Sequence, residues 1–232
     1  MLSPLLLLHI CGAVVGLLSG AMAMVFRKGS GLHGAAGTVF FVSMLLMSSS
    51  GAYIAAFLKP NTLNVVAALL TFYLVSTAWW AARQRTGRTG AFDVTALLLA
   101  VSVALLGLSS GFQAANSVKG TKDGMTAAPY FVFGTIALLC SVTDIRVLKS
   151  GGAVGARRIA RHLWRMSLAL LIATLSFYPG QAKLFPRWLR DTNVLLVPHV
   201  LLIGAMVFAL YRVRGRKRIP TPVNGATTAW TA

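Results

Sequence analysis

The chain reads as an all-α integral membrane protein: a bundle of seven transmembrane helices with its N-terminus outside and its C-terminus in the cytoplasm. Three observations predict this. Of the 232 residues, 56% are hydrophobic and 11% are charged, where a soluble domain carries roughly a quarter charged residues. Apolar stretches long enough to cross a ~30 Å hydrocarbon core recur along the chain. The cations between them gather in alternate connections.

The first span, about residues 4–26, has no basic residue before its apolar core, so it reads as a retained helix rather than a cleaved signal. Arg27 and Lys28 close it. The second, 32–58, is long and predicted to tilt. The others are about 62–82, 91–113, 129–148, 162–182 and 193–213. All must be helices, because backbone groups in lipid have to be satisfied within the segment. Residues 1–213 therefore form one transmembrane domain. The stretch "GGAVGA" at 151–156 reads as a flexible connection. The tail 214–232, basic and then rich in Pro and Thr, is expected to be a disordered cytoplasmic end.

Orientation follows from the 22 Lys and Arg residues. Fifteen fall after the first, third, fifth and seventh spans, and six fall on the other side. The positive-inside rule then puts the first group in the cytoplasm. Topology thus accounts for the formal charge of +18, and nucleic-acid binding is not implied. A bacterial cytoplasmic membrane is the expected location. Cys11 and Cys140 lie inside apolar runs without a Cys-x-x-Cys spacing, so no disulfide is expected.

The chemistry-bearing residues are four histidines. His9 and His199 sit one and a half to two turns from the outer ends of their spans. His33 and His162 begin the second and sixth spans at the inner side. This makes two pairs on different helices, in layers roughly 15–20 Å apart. Opposed imidazoles on facing helices supply the axial ligands of six-coordinate haem b, and two stacked haems would carry electrons across the bilayer. At 100° per residue Gly16 and Gly20 fall near the face of His9, and Gly37 near that of His33, leaving room for a flat macrocycle. Arg27 and Arg165 are candidate partners for haem propionates. Arg165, one turn inside the sixth span, needs an anion there, a propionate or Asp144.

Other readings stay open. Small-xxx-small runs such as Gly12, Gly16 and Gly20 also pack helices together. His33 and His162 could be ordinary helix-end residues. His33, His162 and Asp144 could hold an inner zinc of a membrane hydrolase. A transport or structural membrane protein is a further alternative. The segment "SFYPGQAKLFPRW" (176–188) suits an interfacial aromatic belt, with a break at Pro179 and Gly180. It could also line an outer pocket in which Gln181 and Lys183 face a quinone or small reductant. Activity, if any, would be that of a quinol- or small-reductant-linked oxidoreductase, with a redox partner or a second copy as possible associates.

The run "LLLLHICGAVVGLLSGAMAMVFRKGSGLHGAAGTVFFVSML", with "RHLWRMSLALLIATLSFYPGQAKLFP" and the later "PH", resembles a bacterial family of multi-span membrane proteins of unknown function. That resemblance implies the fold and no activity. In arrangement alone, the two histidine layers are similar to di-haem transmembrane b-type cytochromes.

Overall fold

The computed structural model describes residues 3–178, 180–190 and 192–215. Pro179 and the tail from 216 onward, both read above, lie outside those residues. The chain is almost entirely helical: α1 (Pro4–Val25), α2 (Gly31–Tyr53), α3 (Thr62–Arg83), α4 (Ala91–Ala115), α5 (Ala127–Lys149), α6 (Gly155–Phe177), the single turn α7 (Arg187–Arg190) and α8 (Val197–Gly215). A π-helical segment, Ile54–Leu58, prolongs α2. A 3-10 turn, Asn193–Leu196, leads into α8.

Six of these helices are long and apolar enough to cross a membrane. They are α1, α2 with its π-helical end, α3, α4, α5 and the Asn193–Gly215 stretch. The sixth expected span is different. Its helix begins at Gly155, seven residues before the expected start at 162, and so carries Arg157, Arg158, Arg161, His162 and Arg165. His162 therefore lies two turns inside α6, not at its first residue.

Helix starts follow local chemistry. Ser3 and Ser30 accept the backbone N–H groups of Leu6 and His33, at 3.3 and 3.2 Å. Asn61 does the same for Asn64 at 2.9 Å, and Asp93 reaches back to the N–H of Gly90 at 3.1 Å. Each side chain satisfies a first-turn donor that the helix leaves open.

α3 occupies the centre, touching α2, α4, α5 and α6. α1 packs along α2, α5 along α4, and α8 along α6. Small residues allow the close approaches. A Cβ on Gly107 would stand 2.8 Å from the Cα of Gly134, so α4 and α5 touch backbone to backbone. The core between helices holds Phe40, Met44, Leu70, Tyr73, Val103 and Leu170. Leu18, Val42, Leu98, Leu105, Leu139 and Leu201 are exposed on the outer faces of apolar helices. A bundle with this much apolar outer surface belongs in lipid.

Two connections are more ordered than the sequence suggests. Residues Thr121–Lys122 and Met125–Thr126 pair as a small antiparallel hairpin through Asp123-Gly124, both at positive φ. The glycine-rich 151–156 segment, expected to be flexible, is packed tightly. Gly152 has φ of 128°, and a Cβ there would fall 1.2 Å from the carbonyl oxygen of Gly87. The α5–α6 turn thus rests on the α3–α4 loop.

Candidate functional site

Three of the four histidines make the same contact. Nδ1 of His9 on α1 meets the carbonyl of Met47 on α2 at 2.8 Å. Nδ1 of His33 on α2 meets the carbonyl of Ala23 on α1 at 3.0 Å. Nδ1 of His162 on α6 meets the carbonyl of Ala78 on α3 at 3.0 Å. A carbonyl can only accept, so in each neutral ring Nδ1 carries the proton and Nε2 holds the free lone pair. His199 on α8 is 5% exposed, and neither ring nitrogen has a partner among the described residues. Tyr178 stands edge-on to its ring, with centroids 6.0 Å apart.

His33, Lys28 and Arg158 stand close enough to His162 for their charges to act on it. Each inner histidine shares a helix end with a cation. Lys28 Nζ donates to Ala23 and Met24 at 2.7 and 2.8 Å, so His33 and Lys28 meet on one carbonyl. Arg158 donates to Ala81 and Ala82 at 3.1 and 2.6 Å, one turn beyond the carbonyl that His162 uses. Partial burial against the end of α1 pulls the Lys28 ammonium below its ordinary pKa. The outer pair is arranged otherwise. His9 turns into α2, where a Cβ on Gly51 would stand 2.9 Å from its Cε1. His199 faces Tyr178 at the end of α6.

The other expected site residues divide. The space beside Gly16 is taken by Met44, whose sulfur lies 2.9 Å from the Cβ position. That beside Gly20 is taken by Leu170 and Phe40, at 2.8 and 2.9 Å. Both glycines therefore serve helix packing, and their faces hold no open space for a macrocycle. Gly37 has nothing within 4 Å of its Cβ position. Arg27 is exposed.

Arg165 sits elsewhere, at 0% exposure in a polar cluster of four helices. Its Nη2 donates to Asp144 Oδ1 on α5 and, at 3.3 Å, to Thr143. Arg161 donates to the same Oδ1 at 2.9 Å and stands 3.7 Å from Asp93 of α4. Tyr73 of α3 donates its hydroxyl to Asp144 Oδ2 at 2.5 Å. Of the two anions considered for Arg165, Asp144 is the one beside it. Both oxygens of Asp144 thus accept hydrogen bonds within this cluster. Among the described residues no three His, Cys, Asp or Glu side chains gather in a metal-binding group. Sequence reasoning missed Tyr73 and the pairing of Asp93 with Arg161, although depth alone puts Asp93 and Asp144 at the same end of their helices.

At the C-terminal end of α6, Phe177, Tyr178 and Phe185 pack together, Tyr178 and Phe185 stacking at 5.8 Å. Gln181 and Lys183 are exposed beside them.

Burial, hydropathy and packing together define an α-helical membrane protein with several apolar spans. Residues 6–91, covering α1 to the start of α4, match the model of a family described as "Predicted membrane protein (DUF2306)". His9 and His33 fall within that match; His162 and His199 fall after it. No curated protein and no solved structure matches the chain.

Proposed function

We propose that the protein is a seven-helix electron carrier of the bacterial cytoplasmic membrane that holds two b-type haems, an inner one at His33 and His162 and an outer one at His9 and His199. Its N-terminus faces out and its C-terminus faces the cytoplasm. One observation carries the reading. Three imidazoles have Nδ1 held by a carbonyl of a neighbouring helix, which leaves Nε2 as the ligating nitrogen. The fourth is buried, and neither of its nitrogens has a partner among the described residues. Histidines that bind metal regularly donate their other N–H to a backbone carbonyl, which fixes the tautomer and raises the basicity of the ligand. A buried imidazole with no partner calls for a ligand or an ordered water.

The haem would supply a one-electron couple tuned by its axial ligands and surroundings. The chain's part is to orient the imidazoles, to keep water from them, and to place Arg27, Lys28 and Arg158 near the carboxylates of the inner macrocycle. A quinol or small reductant outside the membrane suits the exposed Gln181 and Lys183 as its approach.

A non-catalytic membrane protein is the second reading. The filled spaces beside Gly16 and Gly20 favour it, since the same histidine bonds also staple α1 to α2 and α6 to α3. Absorption spectra of purified His→Ala variants separate the two. On the haem reading, His33→Ala and His162→Ala each remove the same component, and His9→Ala and His199→Ala the other. Colourless protein from haem-replete cells, with these variants merely less stable, would select the second.

A further inference from the structure

We infer that α6 enters the membrane only as the partner of α5, through the Asp144–Arg165 ion pair. The inference rests on the seven-helix reading above and not on haem. By composition α6 is a poor span. Its N-terminal half carries four arginines and His162, and it is not among the helices apolar enough to cross alone. Yet Arg165 is fully buried and Arg161 is 8% exposed. Ionised groups in a membrane are tolerated where they face the bundle interior and are paired.

That pairing is complete in charge. Arg161 and Arg165 stand against Asp144 and Asp93, which are 1% and 4% exposed. The guanidinium of Arg165 also lies 5.1 Å from the ring centroids of both Tyr73 and Trp164. The partner carboxylate is on the preceding helix. The α5–α6 turn is tucked against the Gly87 carbonyl, and Asp144 near the end of α5 stands within hydrogen-bond distance of Arg161 and Arg165. Inserted alone, α6 would take bare cations into lipid; inserted with α5, it takes Arg165 paired to Asp144, and Asp93 of the already placed α4 balances Arg161. The same pairing sets how deep His162 lies and which side α8 starts from.

The test follows the side on which the C-terminus lies. A reporter fused after the full chain, read in intact cells, is expected to be cytoplasmic in the wild type. In Asp144→Asn, Arg165 is left unpaired, and at least a tenfold loss of cytoplasmic reporter is expected, by misplacement or degradation. Asp144→Asn with Arg165→Met removes both charges and is expected to restore the cytoplasmic reporter. The inference is overturned if Asp144→Asn keeps wild-type level and side. It is also overturned if the double variant is as poor as the single one. A wild-type reporter outside the membrane would instead remove the seven-helix reading itself.

Discussion

The hydroxyl of Tyr73 donates to one oxygen of Asp144 at 2.5 Å, while the other oxygen accepts from Arg161 and Arg165. One carboxylate thus ties α3, α5 and α6 in a buried place. Replacing Tyr73 with Phe leaves Oδ2 without that donor, and a buried acceptor left so costs about 1–3 kcal/mol. Asp144→Asn strands a buried guanidinium, which costs about 3–5 kcal/mol. Thermal unfolding of the purified protein in detergent is expected to rank wild type above Tyr73→Phe above Asp144→Asn. Equal melting of Tyr73→Phe and wild type would mean that the bond contributes nothing.

Gly51 makes the seat for His9. A methyl group there would meet Cε1 at 2.9 Å and Nδ1 at 3.1 Å, so Gly51→Ala must push the ring off the Met47 carbonyl. The expected loss is about 1–3 kcal/mol, typical of overpacking. Nitrogen-15 shifts of the His9 ring would report it directly, by an exchange of tautomer or loss of the hydrogen-bonded Nδ1–H. An unchanged ring signal in the variant would show that the seat has slack.

The α4–α5 contact makes a matched pair of predictions. Gly134→Ala sets a Cβ 2.8 Å from the backbone nitrogen of Leu108 and is expected to destabilise by about 1–3 kcal/mol. Gly37→Ala, with open space around it, is expected to be neutral or to stabilise by up to about 1 kcal/mol through helix propensity. Melting temperatures moving in the same direction in both variants would contradict the packing assigned to Gly134.

Asp123 gives a pH dependence whose sign can be worked out. The backbone N–H of Thr62 donates to it at 2.7 Å and holds its carboxyl below the ordinary range. A carboxyl lowered in the folded state stabilises fully above its unfolded pKa of about 3.9. The contribution fades as pH falls through the lowered folded value. Asp123→Asn is therefore expected to melt lower than wild type at neutral pH, with the gap closing below about pH 4. A gap that stays constant to lower pH would place the effect of Asn elsewhere than in this charge.

Much of the fold was legible because lipid imposes a single demand, an apolar helix of sufficient length. That demand located α1 to α5 and α8 to within a few residues. It failed at α6, where hydropathy rises only after Arg165, while the helix itself starts ten residues earlier at Gly155. The arginines of that stretch are paired by carboxylates of α4 and α5, which no local pattern reveals. The Asp-Gly dipeptide at 123–124 is a readable turn signal, but its two-residue strands are too short to show an alternating pattern. For the site, matched depth grouped His33 with His162. It could not say that His9 turns into α2, since that depends on Gly51 on a different helix. Nor could helix-face angles tell whether the space beside Gly16 and Gly20 is open, because Met44, Phe40 and Leu170 come from other helices to fill it.

The most direct test of the central claim is the haem content per chain of the purified wild-type protein, read from its dithionite-reduced minus oxidised spectrum against protein concentration. The account predicts two low-spin, bis-histidine haems per chain, falling to one in His33→Ala or His9→Ala. Protein that stays folded, is made in haem-replete cells and carries no haem would contradict it.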